Sequence, residues 1–297
     1  MWGTVEIFLD VLLNGIYVGG IYIATSVGLS MVWGVMKIVN FAHGSMLMVA
    51  MYSTYWLTTL LGINPYLATA LVVPFLFFLG YFIQSLFLNP LFKKERSEVI
   101  EPISLFIFTC GLMWFFDNLS LLLFKADFRT IYGKDGLTSL GPGLSSIISP
   151  RLLLLLASLA MVTALHLIST RLDFGKAIRA TSQDRYAASL QGIEVYKVYS
   201  ITFGLGAATL GVAGSFLLPF YPVFPTVGLN FLIKSFIIVV LGGIGSIWGV
   251  VIAGLILGIA ESAVTQLVTG SAGLIVSYII FVGILLYKPL GLLGKES

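Results

Sequence analysis

The segment Val39-Asn40-Phe41-Ala42-His43-Gly44-Ser45-Met46 sets an amide, an imidazole and a hydroxyl close together in an otherwise apolar stretch. An imidazole beside a hydroxyl is the raw material for base-assisted nucleophilic attack, provided the two side chains come within hydrogen-bond reach. On a helix, successive residues diverge by about 100°, so positions two apart do not face each other. His43 and Ser45 therefore make no catalytic pair, and the sequence points away from an intramembrane enzyme. The other chemistry available here is electrostatic. Asn40 is suited to cap a helix running from about residue 41, after Gly34, Met36 and Lys37 mark the end of the preceding one. A helix N-terminus presents unpaired N–H groups and a partial positive charge, which persist inside a membrane only when buried in protein or facing a wet cavity. Asn40 and His43 are thus read in two ways: as lining for a translocation pathway, or as a cap and a hydrogen-bonded tie between helices. Gly44 permits close approach beside them. The polar break Leu241-Gly242-Gly243-Ile244-Gly245-Ser246 admits the same two readings.

The other polar groups at depth carry quieter expectations. A charge at the centre of a membrane helix costs on the order of 2.5–3.5 kcal/mol on insertion scales, so each one snorkels, pairs or works. Asp10, Lys37 and Lys234 lie within a few turns of expected helix ends, where capping or snorkelling suffices. Asp117 and Asn118 fall near the external end of their span and are read as interfacial or packing residues. Glu261 follows the glycine-rich break by about 24 Å of helix at roughly 1.5 Å per residue, which makes it an interfacial carboxylate. His166 is read as structural. The single cysteine, Cys110, excludes an internal disulfide and argues against a metal cluster. No Gly-x-x-x-x-Gly-Lys-Ser/Thr occurs, so the chain has no phosphate cradle of its own. No catalytic, cofactor-binding or metal-binding residue is assigned.

The elements that must hold these groups are set by composition. The chain has 297 residues, 58% hydrophobic and 10% charged, with a mean hydropathy of +1.03, whereas roughly a quarter of an ordinary soluble domain is charged. Several runs reach the roughly 20 apolar residues needed to cross a hydrocarbon core about 30 Å thick. The expected fold is all-α: a polytopic helical membrane bundle of eight or nine transmembrane helices, some short or broken, forming one domain over 1–297. Spans are placed near 7–35, 38–61, 65–89, 99–124, 150–169, 196–218, 228–242, 246–263 and 273–288. Their boundaries are set by Asn64-Pro65, Asn89-Pro90, Gly141-Pro142-Gly143, Ser149-Pro150 and the three prolines between Pro219 and Pro225. No Lys or Arg precedes Lys37, so no basic leader region is visible and the first span is expected to be retained. A net charge of +3 is too small to suggest a nucleic-acid partner.

Orientation follows from short-loop basic residues. Arg171, Lys176, Arg179, Arg185 and Lys197 make the loop 171–197 cytoplasmic, and Lys93, Lys94 and Arg96 place 93–98 on the same side. Segment 125–149 and the N-terminus are then external, and the tail with Lys288 and Lys295 is cytoplasmic. Small residues four apart (Gly15 and Gly19, Ala207 and Gly211, Gly249 and Ala253, Gly254 and Gly258) predict close helix–helix seams.

The loop 171–197 is the most informative soluble piece. Thr181 and Asp184 resemble a capping box, and Gly192 suits a left-handed helix end, which together predict a helix of about ten residues with Tyr186, Leu190 and Ile193 on one face. The run Gly175-Lys-Ala-Ile-Arg-Ala-Thr-Ser-Gln-Asp-Arg-Tyr-Ala-Ala-Ser-Leu-Gln-Gly-Ile193 resembles the cytoplasmic coupling loop of ABC importer permeases, in particular the branched-chain amino-acid permeases of the LivH type. It matches the superfamily's Glu-Ala-Ala-three-residues-Gly motif at Ala187, Ala188 and Gly192, with Tyr186 in place of Glu. The stretches 28–52 and 239–262 resemble the same family. That resemblance implies a membrane pathway subunit coupled to ATPases through Asp184, Arg185, Ala187, Ala188 and Gly192. It implies ATP and Mg bound only on two cytoplasmic partner ATPase subunits, a second, related permease subunit, an external solute-binding protein, and a bacterial or archaeal inner membrane. It also implies a branched-chain amino acid as solute, whose carboxylate would suit the helix start at Asn40; urea or a short-chain amide is the alternative within the family. A self-contained channel or carrier, which would not need the coupling loop, is the alternative outside it.

Overall fold

The computed structural model describes residues 2–94, 100–131, 149–267 and 272–294. Arg96, Lys134, Lys295 and the Gly141-Pro142-Gly143 boundary lie outside the described residues. The helices are α1 (Trp2–Met36), α2 (Ala42–Leu61), α3 (Pro65–Ile83), α4 (Asn89–Lys94), α5 (Ile100–Phe124), α6 (Pro150–Arg171), α7 (Asp173–Gln183), α8 (Arg185–Leu190), α9 (Val195–Leu217), α10 (Val227–Gly242), α11 (Ile247–Leu267) and α12 (Ala272–Tyr287). Among the described residues, six stretches are long and apolar enough to cross a membrane, namely Phe8–Met36, Pro65–Lys93, Ile103–Phe124, Pro150–Arg171, Val195–Leu217 and Ile247–Gln266. Also among the described residues, Val227–Gly242 and Ile275–Tyr287 are shorter apolar helices. The protein is an all-α, multi-pass helical membrane bundle.

Two sequence expectations are corrected. Asn89-Pro90 does not stop the third span. A π turn over Gln84–Leu88 joins α3 to α4, with the Asn89 N–H bonded to the Gln84 carbonyl. Proline lacks an N–H and its ring collides with the carbonyl one turn back; widening the preceding turn removes both conflicts and lets the helix continue. The helix expected in the soluble loop is divided. Thr181 lies inside α7 with its hydroxyl buried, rather than at a cap. Asp184 breaks the chain in extended conformation (φ −149°, ψ 112°) and starts α8.

Antiparallel seams of small residues hold the bundle. Along α1 and α11, a Cβ at Gly15 would sit 2.6 Å from the Ile259 Cα and Gly19 abuts Leu255, while Gly34 meets Gly245 of the α10–α11 turn. Along α3 and α9, Gly211 lies against Val73 and Gly80 against Ala207. In a bilayer, where helices gain little from hydrophobic burial, such close approach supplies the dispersion contacts that hold them together. α2 wedges against α9, where Thr54 and Ser215 hydroxyls lie 2.9 Å apart. Buried amides tie the π turn to α9: Gln84 Nε2 donates to Asn89 Oδ1 (3.0 Å), and Asn89 Nδ2 donates to Ser200 Oγ (2.9 Å) and the Tyr196 carbonyl (3.1 Å).

The two ends differ. At one, Arg129 and Val223 exchange backbone hydrogen bonds of 2.9 and 2.8 Å, joining the α5 exit to the α9–α10 connection. The Arg129 guanidinium sits 5.2 Å from the Trp56 ring centre and donates to the Phe124 carbonyl (3.0 Å). This basic residue is therefore engaged structurally rather than free in a loop. The other end gathers the α1 terminus, α4, the α7–α8 elbow and the α10–α11 turn. There Leu292 and Leu293 N–H groups bond the carbonyls of Leu241 and Gly242 (2.8 and 3.1 Å), closing the end of α10 with the C-terminal tail.

Candidate functional site

Lys37 ends α1 in the left-handed region at φ 56°. The short segment that follows leads to an α2 start inside the bundle. The Asn40 side chain accepts from the Ala42 N–H (3.1 Å) and its carbonyl accepts from the His43 N–H (3.4 Å), so Asn40 caps α2 as its residue type suggests. The His43 ring nitrogen Nε2 lies 2.8 Å from the Thr25 carbonyl and donates to it, tying α2 to α1. Thr25 stands about three turns before the end of α1, so α2 begins on the order of 16 Å inside that end of the bundle. A Cβ at Gly44 would overlap the Gly228 carbonyl, and one at Gly228 would overlap that of Gly44. Ser45 Oγ donates to Asp117 Oδ1 on α5 (2.6 Å). His43 and Ser45 thus engage different helices, and Asn40, His43 and Ser45 are all buried. Around them Phe41 packs on Phe106 and Phe236, with ring centres 4.9 and 5.5 Å away, and Trp33 packs on Phe236 at 5.0 Å.

Gly242 and Gly243 are not brought to this point. Gly242 closes α10 against Gly249, and Gly243 turns at φ 100° beneath the tail residue Gly294. The residues of α10 that do reach the α2 start include Gly228, Leu232 and Phe236, none of which sequence reasoning singled out.

The elbow is built for rigidity. Asp184 Oδ1 accepts from the Tyr186 and Ala187 N–H groups (2.7 and 3.0 Å), capping α8. At the far end Gly192 takes φ 82°, with Gly192 N–H bonded to the Ser189 carbonyl (3.0 Å) and Ile193 N–H to the Ala188 carbonyl (3.1 Å), the paired bonds of a left-handed helix terminus. Gly175 lets α7 fold onto the end of α6, since a Cβ there would overlap the Ile168 and Ser169 carbonyls; Arg179 donates to the latter. Lys176 bonds Asp173 (2.8 Å), holding that carboxyl below its usual range. Ala188 faces inward, while Ala187, Tyr186 (65% exposed) and Leu190 (86% exposed) face outward. The Arg185 guanidinium lies 5.1 Å from the Tyr186 ring centre. A cavity of about 330 Å³ separates the elbow from the α1 terminus and is lined by Lys37, Phe92, Thr181, Asp184, Arg185 and Tyr199 among others.

Among the polar contacts that escaped sequence reasoning, two involve carboxylates inside the bundle. One is Ser45–Asp117. The other joins three helices: Lys234 Nζ donates to Glu261 Oε1 (2.7 Å) and to the Tyr22 hydroxyl, which donates to Glu261 Oε2. Lys234 therefore pairs with Glu261 across α10 and α11, a contact that neither residue's separate reading foresaw. The available signal was two lone, opposite charges on consecutive apolar helices joined by a tight turn.

The family described as "Branched-chain amino acid transport system / permease component" matches residues 11–285. The high-affinity branched-chain amino acid transport system permease protein LivH of Salmonella typhimurium is 30% identical over 305 residues, covering 98% of this chain and 96% of the relative. BraD of Pseudomonas aeruginosa, named likewise as a permease protein, is 29% identical over 311 residues (98% and 97%). The probable branched-chain amino acid transport permease protein LivH of Methanocaldococcus jannaschii is 28% identical over 301 residues (96% and 92%). No solved structure matches. A bundle of apolar helices with a capped polar elbow, matched along nearly its whole length by permeases, belongs to the permease-component family of branched-chain amino acid transport systems.

Proposed function

We propose that this non-enzymatic subunit forms the membrane pathway of an ATP-driven importer of branched-chain amino acids in a bacterial or archaeal inner membrane. ATP and Mg are handled by two cytoplasmic ATPase subunits, a related second permease completes the pathway, and an external binding protein delivers the solute. The observation that carries the coupling role is α8 itself: a six-residue helix, fixed at both termini, that holds Tyr186 and Leu190 out in solvent. Apolar side chains on a rigid, exposed element suit burial in a partner's groove. The elbow is continuous with α6 and α9, so a push on α8 is delivered to both spans. The cavity beside Lys37 gives it room to move toward the α1 terminus, and from there toward the buried start of α2. Asn40 caps α2 and His43 ties it to α1, and their contribution to the pathway is to fix where that helix begins.

The test uses Leu190→Glu, which leaves the cap and the glycine turn untouched, together with Ala188→Glu. Leucine uptake into proteoliposomes should collapse for both, and the ATPase subunits should no longer co-purify. Uptake persisting in Leu190→Glu at normal permease abundance would show that the pathway works without this contact and would sink the coupling assignment.

A further inference from the structure

On α10, Phe231, Leu232 and Ser235 are buried against the bundle, whereas Leu229, Asn230 and Ile233 are exposed. One face of this helix is thus left uncovered by its own chain. Asn230 has no hydrogen-bond partner among the described residues, and one turn further along the same face lies Lys234. The Lys234–Glu261 pair is neither sealed nor solvated, with side chains 23% and 16% exposed. An ion pair taken out of water gains little net stability, and apolar residues of similar volume commonly hold helices at least as well. Stability alone does not account for a lysine, a glutamate and a tyrosine meeting between three membrane helices.

We propose that Lys234, Glu261 and Tyr22, with Asn230 beside them, form a transit site for the zwitterionic head of the transported amino acid, a proposal that rests on the functional reading above. An α-amino acid carries a carboxylate and an ammonium one carbon apart, the same two charges that the pair presents to itself. The solute carboxylate takes the place of Glu261 on Lys234, and its ammonium takes the place of Lys234 on Glu261. Tyr22, which donates to Glu261 in the closed pair, is free to donate to either carboxylate. The Asn230 amide offers a further donor for the solute carboxylate. Leu229 and Ile233, on the same exposed face, supply apolar surface for an aliphatic side chain. Between solutes the two charges close on each other, so neither is left bare in the bundle. Self-pairing also keeps binding weak enough for release, as a transit site requires.

The experiment uses the complete transporter in proteoliposomes. Lys234→Met with Glu261→Gln preserves side-chain volume and removes both charges, so a purely structural pair predicts near-normal uptake. The proposal expects leucine uptake to fall at least about tenfold, since losing a hydrogen-bonded charge contact costs more than that factor. Permease abundance, co-purification with the ATPases and basal ATP hydrolysis should be unchanged. A smaller fall overturns the site. No leucine uptake by the wild type in the same preparation overturns the functional reading and the site with it. A second measurement does not depend on the double variant: Asn230→Cys in a Cys110→Ala background should react with a membrane-impermeant thiol reagent, and leucine should slow the reaction while 4-methylpentanoate, which lacks the ammonium, should not. Failure to label, or labelling indifferent to leucine, overturns the proposal.

Discussion

Gly44 and Gly228 bring the backbones of α2 and α10 into contact, and neither position has room for a methyl group. Gly44→Ala should lower the stability of the folded permease by about 1–3 kcal/mol, the usual cost of overpacking, read as reduced abundance and a lower melting temperature in detergent. Gly111→Ala and Gly283→Ala meet open space on helices and should be neutral or stabilising by up to about 1 kcal/mol in the same assay. His43→Gln keeps a donor near the Thr25 carbonyl, so abundance should be retained, and uptake measured beside it separates a tie from a pathway contact. Normal uptake at normal abundance would remove His43 from the pathway. At this scale the sequence was half legible. Asn40 announces a cap because capping is a property of one side chain and its own backbone. The His43 partner is a main-chain carbonyl, which has no residue signature. The Lys234–Glu261 pairing was missed because each residue was weighed alone, while the pairing depends on how α10 and α11 face one another.

The helices followed hydropathy closely, and the departures sit where a local rule met a tertiary alternative. Pro90 should end a helix, yet the π turn before it also brings Asn89 to Ser200 and Tyr196. Asn89→Ala should cost about 1–3 kcal/mol by leaving buried partners unmade, seen as a lower melting temperature with helix content preserved. In the elbow, Asp184 serves as the cap because its extended backbone lets the carboxylate turn back on two N–H groups; Thr181, three residues earlier, is held inside α7. Gly192→Ala forces a side chain into the left-handed region and should cost about 1 kcal/mol, loosening α8 enough to raise hydrogen exchange at Gly192 and Ile193. The contribution of the Asp173 carboxyl, depressed by Lys176, is fully present above its unfolded value of about 3.9 and is lost as pH falls from there through its lower folded value, so α7 should be insensitive to pH near neutrality.

For the molecule as a whole, composition dictated a membrane bundle and the spacing of small residues marked its seams. Gly258 lies so close to Gly15 and Gly19 that Gly258→Leu should abolish accumulation of folded protein, checked by size-exclusion profile of the detergent-extracted chain. What hydropathy could not convey is that α2 is different in kind. It spans 20 residues without ranking among the stretches apolar enough to cross alone, and its first turn carries His43 and Ser45 toward partners on α1 and α5 and, through Gly44, α10. This has a consequence for biosynthesis. At roughly 5–20 residues per second, Gly228 is synthesised about 10 s or more after Gly44. Throughout that interval α2 has no α10 to close against, so its seating belongs to the last phase of assembly and depends on helices inserted before it being held open for its return.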